Sequence, residues 1–92
     1  MVGRLFENDV HEDFGTWPLG YIPYGGADFG EVRAVAEVVG SGDDGVFYRA
    51  WVSAADRLKD EADKSLAKSY RASARELYLR ASVFYCASYR PL

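Results

Sequence analysis

One cysteine and one histidine are all this chain has of two reactive residue types, and each scarcity closes off chemistry. A lone Cys86 cannot form an internal disulfide, and its solitude favours a reducing compartment, so the chain reads as cytoplasmic. No cysteine and histidine set has metal-ligand spacing, and neither a metal nor a cofactor is expected. His11 stands in an irregular polar stretch, MVGRLFENDVHED. A general base needs an orienting partner and a nucleophile nearby, so His11 reads as a solvated surface residue. No apolar run approaches the ~20 residues needed to span a bilayer, and the N-terminus has no apolar core of signal-peptide length. The excess of one charge sign over the other is also small. A net charge of -3 gives no electrostatic case for nucleic acid or an anionic membrane as partner.

What is present suits one small domain. At 92 residues, 49% hydrophobic and 27% charged, the chain can bury roughly two thirds of its unfolded surface. Aromatic residues make up 15% of it, with seven tyrosines, which suggests contact surfaces as well as core. Residues 1–27 are rich in glycine and proline and are expected to be irregular. Yet Phe14, Trp17, Leu19, Tyr21, Ile22 and Tyr24 are too apolar for a free linker. The expectation is an ordered arm lying on an apolar surface. Residues 28–92 follow as a three-helix unit, and the whole is read as a single all-α domain.

The helices announce themselves by period and caps. Asp28 and Glu31 have capping-box spacing, and Val32, Val35, Ala36 and Val39 follow at i, i+3, i+4, i+7 before Gly40 stops the helix. After the SGDDG loop, Asp43 or Asp44 caps a second helix over about residues 46–66. Phe47, Trp51, Ala54, Ala55, Leu58 and Ala62 form its buried stripe. A short turn at Lys68 and Ser69 leads to a third helix from about Tyr70 to Ser88, antiparallel to the second. Ala74, Leu77, Tyr78, Ala81, Phe84 and Tyr85 make one stripe of that helix. Ala72, Leu79, Val83 and Cys86 make another, roughly opposite. A helix apolar on both sides is an interior helix, so something must cover each side.

The search for chemistry is mostly negative. GSG at 40–42 is a helix stop and loop, with no strand before it to make a nucleophile elbow. GGADFG lacks the strand and lysine of a phosphate loop and carries acids that would repel phosphate. The aspartates at 43, 44, 56, 60 and 63 sit at a cap and on a wet face, without the alternation of a calcium loop. Cys86, on an apolar stripe, reads as a buried and inert thiol. Tyr70, Tyr78, Tyr85 and Tyr89 read as interhelical packing, with one or two available to line a pocket. The candidate interface or pocket-lining set is Trp51, Tyr70, Tyr78, Leu79, Val83, Tyr85 and Cys86; no residue is assigned a catalytic role.

The stretches YGGADFGEV, FYRAWVSAADRL and SARELYLRASVFY, with Tyr89 after them, resemble the N-terminal helical region of a group of α/β-hydrolases. That group includes the 2,6-dihydroxypseudooxynicotine hydrolase type and the fermentation–respiration switch proteins. Its pattern is GG-x-x-x-GE, a Trp-bearing helix, then roughly SA-x-x-x-YLRAS-x-YY. Gly25, Gly26, Gly30 and Glu31 match the first element, and Trp51, Ala55 and Leu58 the second. Ser73, Ala74, Tyr78, Leu79, Arg80, Ala81, Ser82 and Tyr85 match the third. The group usually has Gly-His at the turn where this sequence has Ser69 and Tyr70. Its nucleophile, acid and histidine lie downstream of the matching region, so the resemblance carries over no catalytic residue. It implies a helical cap that packs on a hydrolase body and shapes its substrate pocket or dimer contact. A rival reading takes Ala74, Tyr78 and Ala81 as tetratricopeptide spacing in a stand-alone, self-associating module. Partners expected are therefore a hydrolase body or a second copy in a homo-oligomer. The isolated chain should turn over no p-nitrophenyl ester; measurable turnover that vanishes when His11 is replaced would overturn this reading.

Overall fold

Asp28 sits in extended backbone with its carboxylate accepting from the Glu31 amide at 3.2 Å, and that cap starts the helix the sequence predicts there. A computed structural model describes residues 4–89. The outer ends of the two expected segments, residues 1–3 and 90–92, lie outside the described residues. In chain order the elements are α1 (Asp9–Gly15), a 3₁₀ helix (Trp17–Tyr24), α2 (Phe29–Val39), α3 (Asp44–Ala67) and α4 (Arg71–Ser88). No strand occurs among the described residues, and the fold is all-α.

The two long helices follow the sequence closely. Asp43 caps α3 by accepting from the Val46 amide at 3.0 Å. The hairpin turns at Ser69, whose φ of 64° lies in the left-handed region that favours glycine. Serine holds this conformation where the resembled hydrolase group usually has glycine. α3 and α4 then lie antiparallel along their length. Ala54, Ala55, Ala62, Ala74 and Ala81 are all buried, and these small side chains let the two axes approach closely.

The arm departs from expectation. Residues 4–24 are not irregular but contain α1 and the 3₁₀ helix. Asn8 supplies a cap that accepts from the amides of Val10 and His11. Pro18 stands in the first turn of the 3₁₀ helix, where its fixed φ suits the geometry and its missing N–H is no loss. Gly25, at φ 76°, ends that helix in the left-handed conformation. Glycine and proline here punctuate short helices instead of preventing them.

One core holds arm and helices together. Trp51 is wholly buried at its centre. Phe84 of α4 meets it edge-on at 4.9 Å, Phe47 of α3 at 6.1 Å, and Phe6 of the arm at 6.3 Å between ring centroids. Phe6 is 1% exposed and also lies 5.5 Å from Phe47. Gly15 makes its docking possible, because a methyl group there would lie 2.4 Å from the Phe6 ring. The molecule spans 41 × 28 × 18 Å, and its narrow dimension is about two helix diameters. With only two helix layers across that dimension, one side of α4 cannot be shielded along its whole length. Gly15→Ala should therefore cost about 1–3 kcal/mol by overpacking against Phe6. Gly20→Ala, with nothing within 4 Å of the added carbon, should leave the urea midpoint nearly unchanged.

Candidate functional site

α4 presents three working surfaces. The first is the seam with α3. The Tyr78 hydroxyl donates to Asp63 at 2.6 Å, and the Tyr85 hydroxyl donates to Asp56 through a short hydrogen bond. The bond to Asp63 holds Tyr78 above the usual tyrosine range, while the same bond, aided by Lys59, holds the Asp63 carboxyl low. The hydrogen bond to Asp56 pushes Tyr85 up to about 12. Both tyrosines are half-buried, and their phenols are occupied by α3 carboxylates.

The second surface faces α2. Arg80 reaches Glu31 with Nε at 3.0 Å and Nη2 at 3.5 Å, a forked pair with side chains 21% and 32% exposed. Glu31 thus accepts from Arg80. The capping box at the start of α2 is half of what its spacing predicted, with the Asp28 carboxylate as the bond that is made.

The third surface is where α4 turns away from its neighbours. Val83 is 6% exposed, covered by the chain leaving the 3₁₀ helix; a methyl on Gly26 would lie 3.3 Å from it. Leu79 is 41% exposed, and Ala72 is exposed with it. Across from them stands Tyr24, and together with Arg75 and Glu76 they line a shallow groove of about 410 Å³. A smaller cleft of about 140 Å³ lies on the other side, walled by Glu31, Arg57, Glu61 and Phe84 among others.

The residues singled out from sequence therefore divide. Trp51 and Val83 are in the interior, Tyr78 and Tyr85 lie on the α3 seam, Leu79 borders the groove, and Tyr70 is exposed at the hairpin tip. Cys86 is exposed, not buried, because the arm covers only Val83 on that side of the helix. His11 is also reversed: it is fully buried, stacked 4.4 Å from Phe47. Its Nε2 lies 2.7 Å from Asp44 Oδ1, and since a carboxylate only accepts, Nε2 carries the proton. Nδ1 has no hydrogen-bond partner among the described residues, so no nucleophile is paired with this ring. The pair instead docks α1 on the first turn of α3. Sequence reading missed this pair and the Arg80–Glu31 fork, although both members of the fork stand in the quoted motifs. Among the described residues no His, Cys, Asp and Glu cluster is placed to hold a metal, and no helix is long and apolar enough to cross a membrane.

Comparison with known proteins gives the arrangement a context. Hydrolyase poxO of Penicillium oxalicum is 40% identical over 70 residues, covering 76% of this chain and 17% of its own. Hydrolase acrC of Aspergillus aculeatus is 39% identical over 70 residues and α/β hydrolase xenA of Xenoacremonium sinensis 36%, each over 76% of this chain and 16% of theirs. The relationship is to hydrolases. The chain spans about a sixth of the length of these relatives. No family model matches it, and no solved structure does.

The Tyr85 bond gives a pH prediction. Its folded value lies above the ordinary tyrosine value of 10, so its stabilisation is fully present below about pH 10 and is lost as pH rises toward 12. Tyr85→Phe should remove the last step of the tyrosinate absorbance titration and make the alkaline fall in melting temperature less steep.

Proposed function

We propose that these helices form a non-catalytic cap of an α/β-hydrolase of the 2,6-dihydroxypseudooxynicotine hydrolase type. The cap packs on the catalytic body and shapes its substrate pocket or a dimer contact. The observation that carries the reading is the 70-residue match to a minor part of several hydrolases, at 36–40% identity. A segment that forms about a sixth of such proteins leaves most of each chain to supply the reaction. The residues described here agree with that division of labour. Their one histidine is buried and engaged by Asp44, and their tyrosine hydroxyls on α4 are engaged by α3 carboxylates. What remains is shape: a rigid hairpin with a forked ion pair tying it to α2.

The test is an exchange of segments. The relative named 20-hydroxy-prefusarin hydrolase, from Gibberella moniliformis, is 34% identical over 70 residues covering 17% of its length. Replacing its matching segment with that of this chain should give a soluble protein that still turns over 20-hydroxy-prefusarin, with KM altered more than kcat. A chimera that folds but shows unaltered kinetics would mean that the segment does not shape the pocket. An insoluble chimera would mean that the helices do not fit such a body.

A further inference from the structure

We propose that the groove between the 3₁₀ helix and α4, walled by Tyr24 and Leu79, is the seat of the hydrolase catalytic body. This rests on the cap reading above and names the face that the cap uses. Within the segment YLRAS, the chain itself employs four of the five side chains. Tyr78 is held by Asp63, Arg80 by Glu31, Ala81 is in the core, and Ser82 donates to the backbone carbonyl of Leu79 at 2.8 Å. Leu79 alone has no such engagement and is 41% exposed.

Tyr24, 77% exposed, faces the same groove from a different element, so the apolar surface is shared between two parts of the fold and is not a single stray side chain. The other large exposed apolar residues, Tyr89 with its ring contact to Tyr48 included, do not line this groove. Val38 follows Glu37 on α2, and Leu66 and Tyr70 sit at the hairpin tip beside Lys68. Solitary apolar side chains of that kind are ordinary on protein surfaces.

The rim of the groove decides the class of occupant. Arg75 and Glu76 are exposed, and neither makes a salt bridge among the described residues. One positive and one negative group side by side suit a surface that offers both signs, as a folded protein does. An anionic bilayer or a nucleic acid would gain from Arg75 and lose at Glu76, on a chain whose net charge is already -3. The relatives supply a protein of that kind in the same chain, since about five sixths of their length lies beyond the matched part.

The experiment uses the isolated chain and the segment-exchange chimera together. Leu79→Glu and the control Val38→Glu should both leave the helical circular dichroism and melting of the isolated chain unchanged, because both side chains are exposed. In the chimera, Leu79→Glu should lower kcat/KM for 20-hydroxy-prefusarin about tenfold or more, the loss of a buried interface anchor, while Val38→Glu should not. Equal activity in the Leu79→Glu and unsubstituted chimeras would overturn the assignment of this face and leave the cap reading standing. An unsubstituted chimera that fails to fold would overturn the cap reading, and this inference with it. Should Leu79→Glu lower the melting temperature of the isolated chain, Tyr24→Glu on the opposite wall carries the same comparison.

Discussion

The packing of Phe6, Phe47 and Phe84 around the Trp51 ring is the contact on which the rest of the molecule depends. It joins the arm, α3 and α4 at one point, and His11 extends it by stacking on Phe47. Rings of this size bury more apolar area than any other side chains available to so short a chain. In a protein two helix layers thick, a single such cluster must serve as the whole centre. The arm is therefore part of the core and not an appendage, which is why Gly15 has to be small.

Around that centre the polar groups act as positioning devices. The Tyr78–Asp63 and Tyr85–Asp56 bonds fix the rotation and register of α4 against α3. The Arg80–Glu31 fork fixes α2 against α4. With rotation and register set from two directions, the remaining side of α4 has a defined orientation. A helix held that firmly can present Leu79 and the Arg75–Glu76 rim as a rigid surface, and rigidity lowers the entropic cost of meeting a partner.

Much of this was legible in the residues. The period of valines after Asp28, the stripe from Phe47 to Ala62, the stripe from Ala74 to Tyr85 and the caps at Asp28 and at Asp43 or Asp44 set three helices within a residue or two of their observed ends. These signals are local: a cap bonds its own first turn, and a 3.6-residue period reports one helix face. The resemblance in YLRAS and in the GG-x-x-x-GE element pointed to hydrolases, and the relatives bear out that broader link. The arm was misjudged because glycine and proline were weighed as breakers, while Asn8 and Pro18 act as helix starters in their actual positions.

The sequence by itself determined that the three longer segments are helical, where they stop and that α3 and α4 pair, because these follow from hydrogen bonds and contacts between near neighbours in the chain. Only the tertiary structure decided how the two apolar sides of α4 are shared out. Val83 goes under the arm, while Leu79 and Cys86 stay open, a division set by where a segment some sixty residues earlier comes to rest. It also decided that His11 is buried, since its partner Asp44 lies 33 residues away and no local pattern links them. Contacts of that separation are chosen by the shape of the whole core, and a reading of neighbours along the chain has no access to it.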